Sequence, residues 1–373
     1  MVSPISNTSC HATTSTETHR CFQENRQHQH RNEMNAFNAL SRNHRCAPLA
    51  LLVATFLTGL GLTACGGGSD STTAATATAT ETTTTGTTTG AVTSTSATST
   101  AGVLCSYSSS VPYSSATLTA TATATWSCSS TLRSLTANGL PDHAIGTFPN
   151  QSNPNTITAQ NVSASATLTP TVTTVATPRT GPMAIPGYAL NGIPIDPATA
   201  GTCNDTGNNC AMAPPSAGTW DIEALGQSSF KFGTDSNNAH VQPQGTYHYH
   251  GIPEGLVTKL SNGNKVMTLI GWAADGFPIY ARYGYTVATD ASSAVKVVKG
   301  SYRTKASPDA NRPATSLYAM GAFKQDYEYV AGLGDLDECN GRTGVTPEFP
   351  RGIYHYYATD SYPYLQRCVK GKL

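Results

Sequence analysis

The chain is short of charge. Lysine plus arginine and aspartate plus glutamate stand at 22 each, charged residues make up 12% of 373 positions, and the net charge is zero. That balance gives no electrostatic reason to expect nucleic acid as a partner. Long apolar runs are nearly as scarce. The one that stands out, Ala47 to Leu62, is too short for a confident membrane span. Glycine patterns of the GxGxxG or Walker type and zinc-finger spacings do not occur, which removes nucleotide-binding readings. No serine sits in a GxSxG elbow, so nucleophilic hydrolysis has no visible centre. Sustained helical periodicity is missing after Cys65, and with it the case for a helical bundle.

What is present begins with an address. Arg42, His44 and Arg45 precede the apolar run, which ends in Leu62-Thr63-Ala64-Cys65 and three glycines. This order resembles a bacterial lipoprotein signal, in which the cysteine becomes the lipidated first residue. Residues 1–65 are therefore expected to be a signal segment with Cys65 as lipidation site, and Met34 offers an alternative start. His11, His19, His28 and His30, with Cys10, Cys21 and Cys46, drop out of any site argument. The expected location is the bacterial cell envelope, facing the periplasm or the cell surface, with the membrane as partner through the lipid. Residues 66–102 are almost entirely Thr, Ala, Ser and Gly, lack large apolar groups, and read as a disordered tether.

Residues 103–373 are expected to form one large, mainly β domain. Thr117 to Cys128 alternates threonine with small apolar residues at period two, the mark of a half-exposed strand. Asn155 to Ala159 and Ser165 to Val175 read as further short strands, and a short helix is possible near Trp220 to Leu225. The chain also repeats itself. GYALNGIPI (187–195) and GWAADGFPI (271–279) share Gly, Ala, Gly, Pro and Ile at matching positions, and each precedes a Tyr-His-Tyr strand, at Tyr247 and at Tyr354. This predicts an internal duplication of one β-rich unit, the first copy at about 181–255 and the second at about 265–371. The surplus length of the second copy falls between Asp290 and Tyr329. Gly192 and Gly276 would supply positive φ in the repeated turns. Packing of the two copies about a pseudo-twofold axis would bring His248, His250 and His355 into one cleft.

TANGLPDHAIGTFPN (136–150), ALNGIPIDP (189–197), DSNNAHVQPQGTYHYHG (235–251), IGWAADGFPIYARYGY (270–285), LDECNGRTGVTPEFPRGIYHYY (336–357) and YPYLQRC (362–368) together resemble the YHYH family of secreted bacterial proteins. The resemblance spans roughly Thr136 to Gly371. It implies no established reaction, so function has to come from the residues.

Six cysteines follow Cys65: Cys105, Cys128, Cys203, Cys210, Cys339 and Cys368. An even number outside the cytoplasm favours disulfides, with Cys203–Cys210 and Cys339–Cys368 the leading pairs and Cys105–Cys128 a further one. Histidines of the same region are His143, His240, His248, His250 and His355, four of them in or just before the Tyr-His-Tyr strands. A strand His-x-His pair plus a third imidazole suits copper or zinc, which makes His248, His250 and His355 the expected ligands, with His240 as fourth ligand or supporting donor. The competing reading is a metal-free surface module for glycans, other envelope components or small molecules, its histidines held in a structural hydrogen-bond network. Catalysis would call on Asp275 and Glu338 as acidic groups. Asp275 before Gly276 equally suits a turn aspartate bonding its own backbone.

Overall fold

Threonine and alanine alternate through the second strand, and the burial follows the alternation. The computed structural model describes residues 104–179 and 184–373, so Cys65 and the expected signal and tether segments lie outside the described residues. Strands β1 (Ser108–Ser114), β2 (Thr119–Cys128), β3 (Leu132–Ala137) and β4 (Val162–Thr167) form an antiparallel sheet in sequence order. In β2, Ala122, Ala124 and Trp126 point inward while the intervening threonines face out. The second stretch expected as a strand, Ser165 to Val175, is split between β4 and β5 (Val172–Pro178). Pro170 lies in the break and lacks the N–H a ladder needs. Asn155 to Ala159 joins no ladder, and its Thr158 N–H donates to the Gly245 carbonyl at 3.0 Å.

Strands β6 (Gly187–Ala189) and β7 (Pro194–Ile195) are followed by a small sheet of β8 (Thr202–Cys203), β9 (Cys210–Ala211) and β10 (Trp220–Asp221). The chain then forms β11 (Ala239–Val241), β12 (Tyr247–Tyr249), helix α1 (Glu254–Ser261), β13 (Thr268–Ala273) and β14 (Pro278–Ala281). Two hairpins come next, β15 (Tyr283–Tyr285) with β16 (Val295–Val297) and β17 (Tyr302–Thr304) with β18 (Tyr327–Tyr329). They fill the stretch where the second half is longer. The chain closes with β19 (Gly341–Gly344), β20 (Ile353–Ala358) and β21 (Cys368–Gly371), the last pairing with β5.

No helix forms at Trp220 to Leu225. The amides of Ile222 and Glu223 bond instead to Gly201 and Ala322, at 2.9 and 3.0 Å, so no i to i−4 ladder can start there. The helix that does form, α1, has Leu256 and Val257 buried and ends at Asn262 with φ of 52°.

The main sheet has eight strands in the order β11-β12-β7-β6-β13-β14-β20-β19. It reads the same from the centre to either edge: β6 and β13 meet antiparallel with Tyr188 opposite Trp272, β7 and β14 come next, then the two Tyr-His-Tyr strands, then an edge strand. Gly192 and Gly276 adopt φ of +80° and +90° in the corresponding turns. A Cβ on Gly192 would collide with that of Ala137, and one on Gly276 with the Thr167 carbonyl, so both turns require glycine for space as well as for φ. Tyr247 and Tyr249 of β12 and Tyr354 and Tyr356 of β20 fall on the face opposite the histidines, while Tyr357 shares the face of His355. Tyr247 donates to Asp235 Oδ2 at 2.7 Å and Tyr354 to Asp337 Oδ2 at 3.0 Å, each securing its strand to the loop before the neighbouring edge strand.

All six cysteines pair as expected, Cys105–Cys128, Cys203–Cys210 and Cys339–Cys368, with Cα separations of 5.0, 4.1 and 5.0 Å. The last joins the start of β21 to the turn before β19 across 29 residues, a loop for which chain entropy alone predicts about 3.6 kcal/mol. Replacing both Cys339 and Cys368 with serine is expected to lower the unfolding free energy by about that amount, read as a drop in the urea midpoint at unchanged slope.

Candidate metal centre

Register places three imidazoles together. Antiparallel pairing of β11 with β12 sets His240 directly opposite His248, and His250 lies two residues beyond His248 on the same face. Just past the end of β12, the His250 N–H donates to the Asn238 carbonyl at 2.8 Å, with Asn238 itself at φ of 54°. The rings form a nearly equilateral triangle, with centroid separations of 4.6, 4.8 and 4.7 Å. The Nε2 atom of His250 is 2.9 Å from Nε2 of His248 and 3.1 Å from Nε2 of His240. Among the described residues these three are the group of histidine, cysteine and acidic side chains close enough to hold a metal ion.

The outward nitrogens determine what the inward ones can do. His240 Nδ1–H donates to the Phe232 carbonyl at 2.8 Å and His248 Nδ1–H to the Thr246 carbonyl at 3.3 Å. A carbonyl only accepts, so both rings carry their proton on Nδ1 and turn an Nε2 lone pair inward. The Asp196 backbone lies beside the His250 ring, whose buried Nδ1 has no hydrogen bond of normal geometry. One inward proton, on His250 Nε2, serves one of its two neighbours well and leaves the other contact between lone pairs about 3 Å apart. A cation resolves that conflict. Three nitrogens at ~2.0 to 2.1 Å from one tetrahedral ion are about 3.3 Å apart, within a few tenths of an ångström of the two Nε2 separations at His250, and the ligand atoms of all three residues lie within 4.8 Å of one another.

Burial keeps the rings neutral. His248 and His250 are each 2% exposed and His240 is half-buried. Desolvation, reinforced by His240, pulls the His248 pKa down to about 3. Desolvation, then His248, His240 and the Arg367 charge, push His250 well below the ordinary range. His240 is lowered by burial, with the Phe232 carbonyl pulling the other way. Neutral imidazole is the form that ligates, so at pH 7 the centre can accept an ion with no net loss of a proton, the His250 proton moving from Nε2 to Nδ1.

His355 is not part of this centre. The two halves of the sheet join edge to edge through β6 and β13, so four strands lie between β12 and β20, a lateral separation of about 24 Å at ~4.8 Å per strand. The expectation of a shared cleft fails because the repeated segments extend one sheet instead of facing each other. His240, expected as an auxiliary, is one of the three.

Around His355 the same register gives different chemistry. Arg342 stands opposite it as His240 stands opposite His248, and Tyr357 occupies the position of His250. His355 Nδ1–H donates to the Ile353 carbonyl at 2.9 Å, Tyr357 O–H donates to His355 Nε2 at 3.1 Å, and Arg342 donates to the Tyr357 oxygen at 3.2 Å. Both ring nitrogens of His355 and the Tyr357 hydroxyl have protein partners, and Arg342 Nη2 also donates to the Tyr285 carbonyl at 2.9 Å while its buried Nε has none, so the structural-network reading describes this half.

Neither acidic candidate contributes to the histidine centre. Asp275 is fully buried and accepts from Tyr356 O–H at 2.5 Å, Gly371 N–H at 2.8 Å and Phe277 N–H at 3.3 Å. It fastens the turn to β20 and β21, the role a turn aspartate suggests. Glu338 forms an ion pair with Lys370 at 2.7 Å at the surface. The residue that sequence reasoning missed is Asp196. It directly follows β7, is 4% exposed, and burial raises its carboxyl pKa to about 6. Its signal was available in ALNGIPIDP, one step beyond the repeated Ile195.

Burial also draws the His355 pKa down to about 4, below the ~6.5 of an unfolded histidine. Between those values the unfolded chain binds the proton and the folded one does not, so acidification destabilises the fold, with full stability above about pH 6.5. From pH 7 to pH 5 this residue's share is about 2 kcal/mol. Urea titrations at the two pH values are expected to show His355→Gln losing that much less stability on acidification than the wild type.

Residues 163–371 match the YHYH protein family. No curated protein and no solved structure matches the chain at a significant level. The match covers more than half of the chain and includes both Tyr-His-Tyr strands and the histidine triangle, and on it the chain belongs to the YHYH protein family.

Proposed function

We propose that this protein binds one transition-metal ion, copper or zinc, through Nε2 of His240, His248 and His250, and does so in the bacterial cell envelope, held to the membrane by a lipid on Cys65. The observation that carries the metal reading is the inward convergence of imidazole lone pairs whose tautomers are set by the Phe232 and Thr246 carbonyls. Neutral nitrogen donors without thiolate suit copper and zinc alike. Three protein ligands leave a coordination position for an exchangeable molecule, the pattern of a working site more than of a closed structural one. The second half of the sheet supports the reading by contrast, since there the cluster is completed by a guanidinium and a phenol. The two halves are read as copies of one unit, of which one took the metal role. The address rests on the basic flank, the apolar run and the Leu-Thr-Ala-Cys ending at Cys65.

Elemental analysis of tag-free protein after copper or zinc loading and dialysis is expected to give close to one equivalent. His248→Ala should weaken binding at least about a hundredfold, beyond the range for losing a supporting partner of a ligand, and His355→Gln should keep the wild-type stoichiometry. A wild type without metal, or a loss of metal in His355→Gln equal to that in His248→Ala, would contradict the assignment. For the address, Cys65→Ser is expected to move the protein from the membrane to the soluble fraction of fractionated cells.

A further inference from the structure

The histidine triangle has a carboxylate beside it that the ligand set does not use. Parallel pairing sets Ile195 beside Tyr249, and the Asp196 N–H donates to the Tyr249 carbonyl at 2.9 Å, so Asp196 runs alongside His250. By strand alternation its side chain takes the face of the imidazoles, opposite that of Tyr249. Its Oδ2 accepts from Gln242 Nε2 at 3.3 Å. Gln242 lies two residues beyond His240, on the far side of β12 from Asp196, so this bond carries the carboxylate across the imidazole face of β12. The other arm of the sheet corroborates the placement. One step beyond the corresponding Ile279 comes Tyr280, whose ring packs edge-on against His355 with centroids 5.4 Å apart.

The Asp196 carboxylate has no salt-bridge partner among the described residues, and Arg367, whose charge it feels, is held by Glu223 at 2.9 and 2.7 Å. Asp196 also falls outside the group whose ligand atoms lie together. It is therefore a buried acceptor, flanked by amide donors, next to a three-nitrogen centre.

Resting on the metal reading above, we propose that Asp196 faces the open coordination position and selects what fills it: a neutral molecule that donates a hydrogen bond, of the class of water, an alcohol or an amine, in preference to an anion. A ligand atom bound there keeps a proton to give to the carboxylate, whereas an anion meets a buried like charge.

The test uses the full chain loaded with copper(II), which an imidazole site binds whatever its native ion, with azide as a monoanionic probe followed by its charge-transfer absorption. Asp196→Asn is expected to keep one equivalent of copper and to bind azide about tenfold more tightly than wild type, with Asp196→Glu returning towards wild-type affinity. Asp196→Ser serves the same purpose should the asparagine variant fail to fold. Equal azide affinity in the wild type and the charge-removed variant, at equal copper content, overturns the proposal. Loss of copper from Asp196→Asn as severe as that from His248→Ala overturns it as well, since the carboxylate would then be a ligand. A wild type that takes up no copper removes the metal reading itself, and copper content separates that outcome from the other two.

Discussion

The pairing register of β11 against β12 is the constraint on which the site depends. With His240 opposite His248, the side-chain period of two places His240, His248 and His250 on one face and Tyr247 and Tyr249 on the other. A slip of one residue would set imidazoles against phenols and dissolve the triangle. The tyrosine face opposes such a slip. Tyr247 is fixed by Asp235, while Tyr249 donates to His143 at 2.6 Å and accepts from Asn191 at 2.9 Å. Both phenols are completely buried, so leaving either unpaired would cost the desolvation of a polar group. The hydrogen bonds behind the strand thus hold in place the lone pairs in front of it.

The two arms of the sheet share strand order and turn geometry and differ in the chemistry placed on them. At three positions one arm has His240, His250 and Asp196 where the other has Arg342, Tyr357 and Tyr280. The Arg342 guanidinium brings a permanent charge and several donors, and the phenol of Tyr357 both gives and receives, so both ring nitrogens of His355 are served by protein atoms alone. The imidazole arm has fewer protons than its inward contacts can use. The same scaffold therefore carries a protein-only hydrogen-bond network around His355 in one half and three imidazoles that could hold an ion in the other.

Much of this was legible in the sequence, for local reasons. The Thr/Ala alternation of β2, the cysteine pairs and the positive-φ glycines at 192 and 276 each follow from a pattern a few residues long. His248 and His250 were visible as a strand pair. His240 was visible only as a neighbour, because its place in the triangle depends on a hairpin register that its spacing from His248 does not fix. The error over His355 arose from what a repeat leaves open: matching segments do not say whether two units stack face to face or continue one sheet, and here they continue it. Asp196 was overlooked because its role appears only once β7 is known to run parallel to β12. Helix α1 was missed because its eight residues are too few to show periodicity by themselves.

The central claim is that three inward Nε2 atoms form one coordination sphere. X-ray absorption at the copper or zinc edge of the loaded, tag-free protein tests it most directly. The structure predicts three imidazole nitrogens at ~2.0 to 2.1 Å, with a single further oxygen or nitrogen donor completing the shell. A shell with one imidazole or none, made up mostly of oxygen donors, would show that the ion sits elsewhere on the surface and would contradict the account.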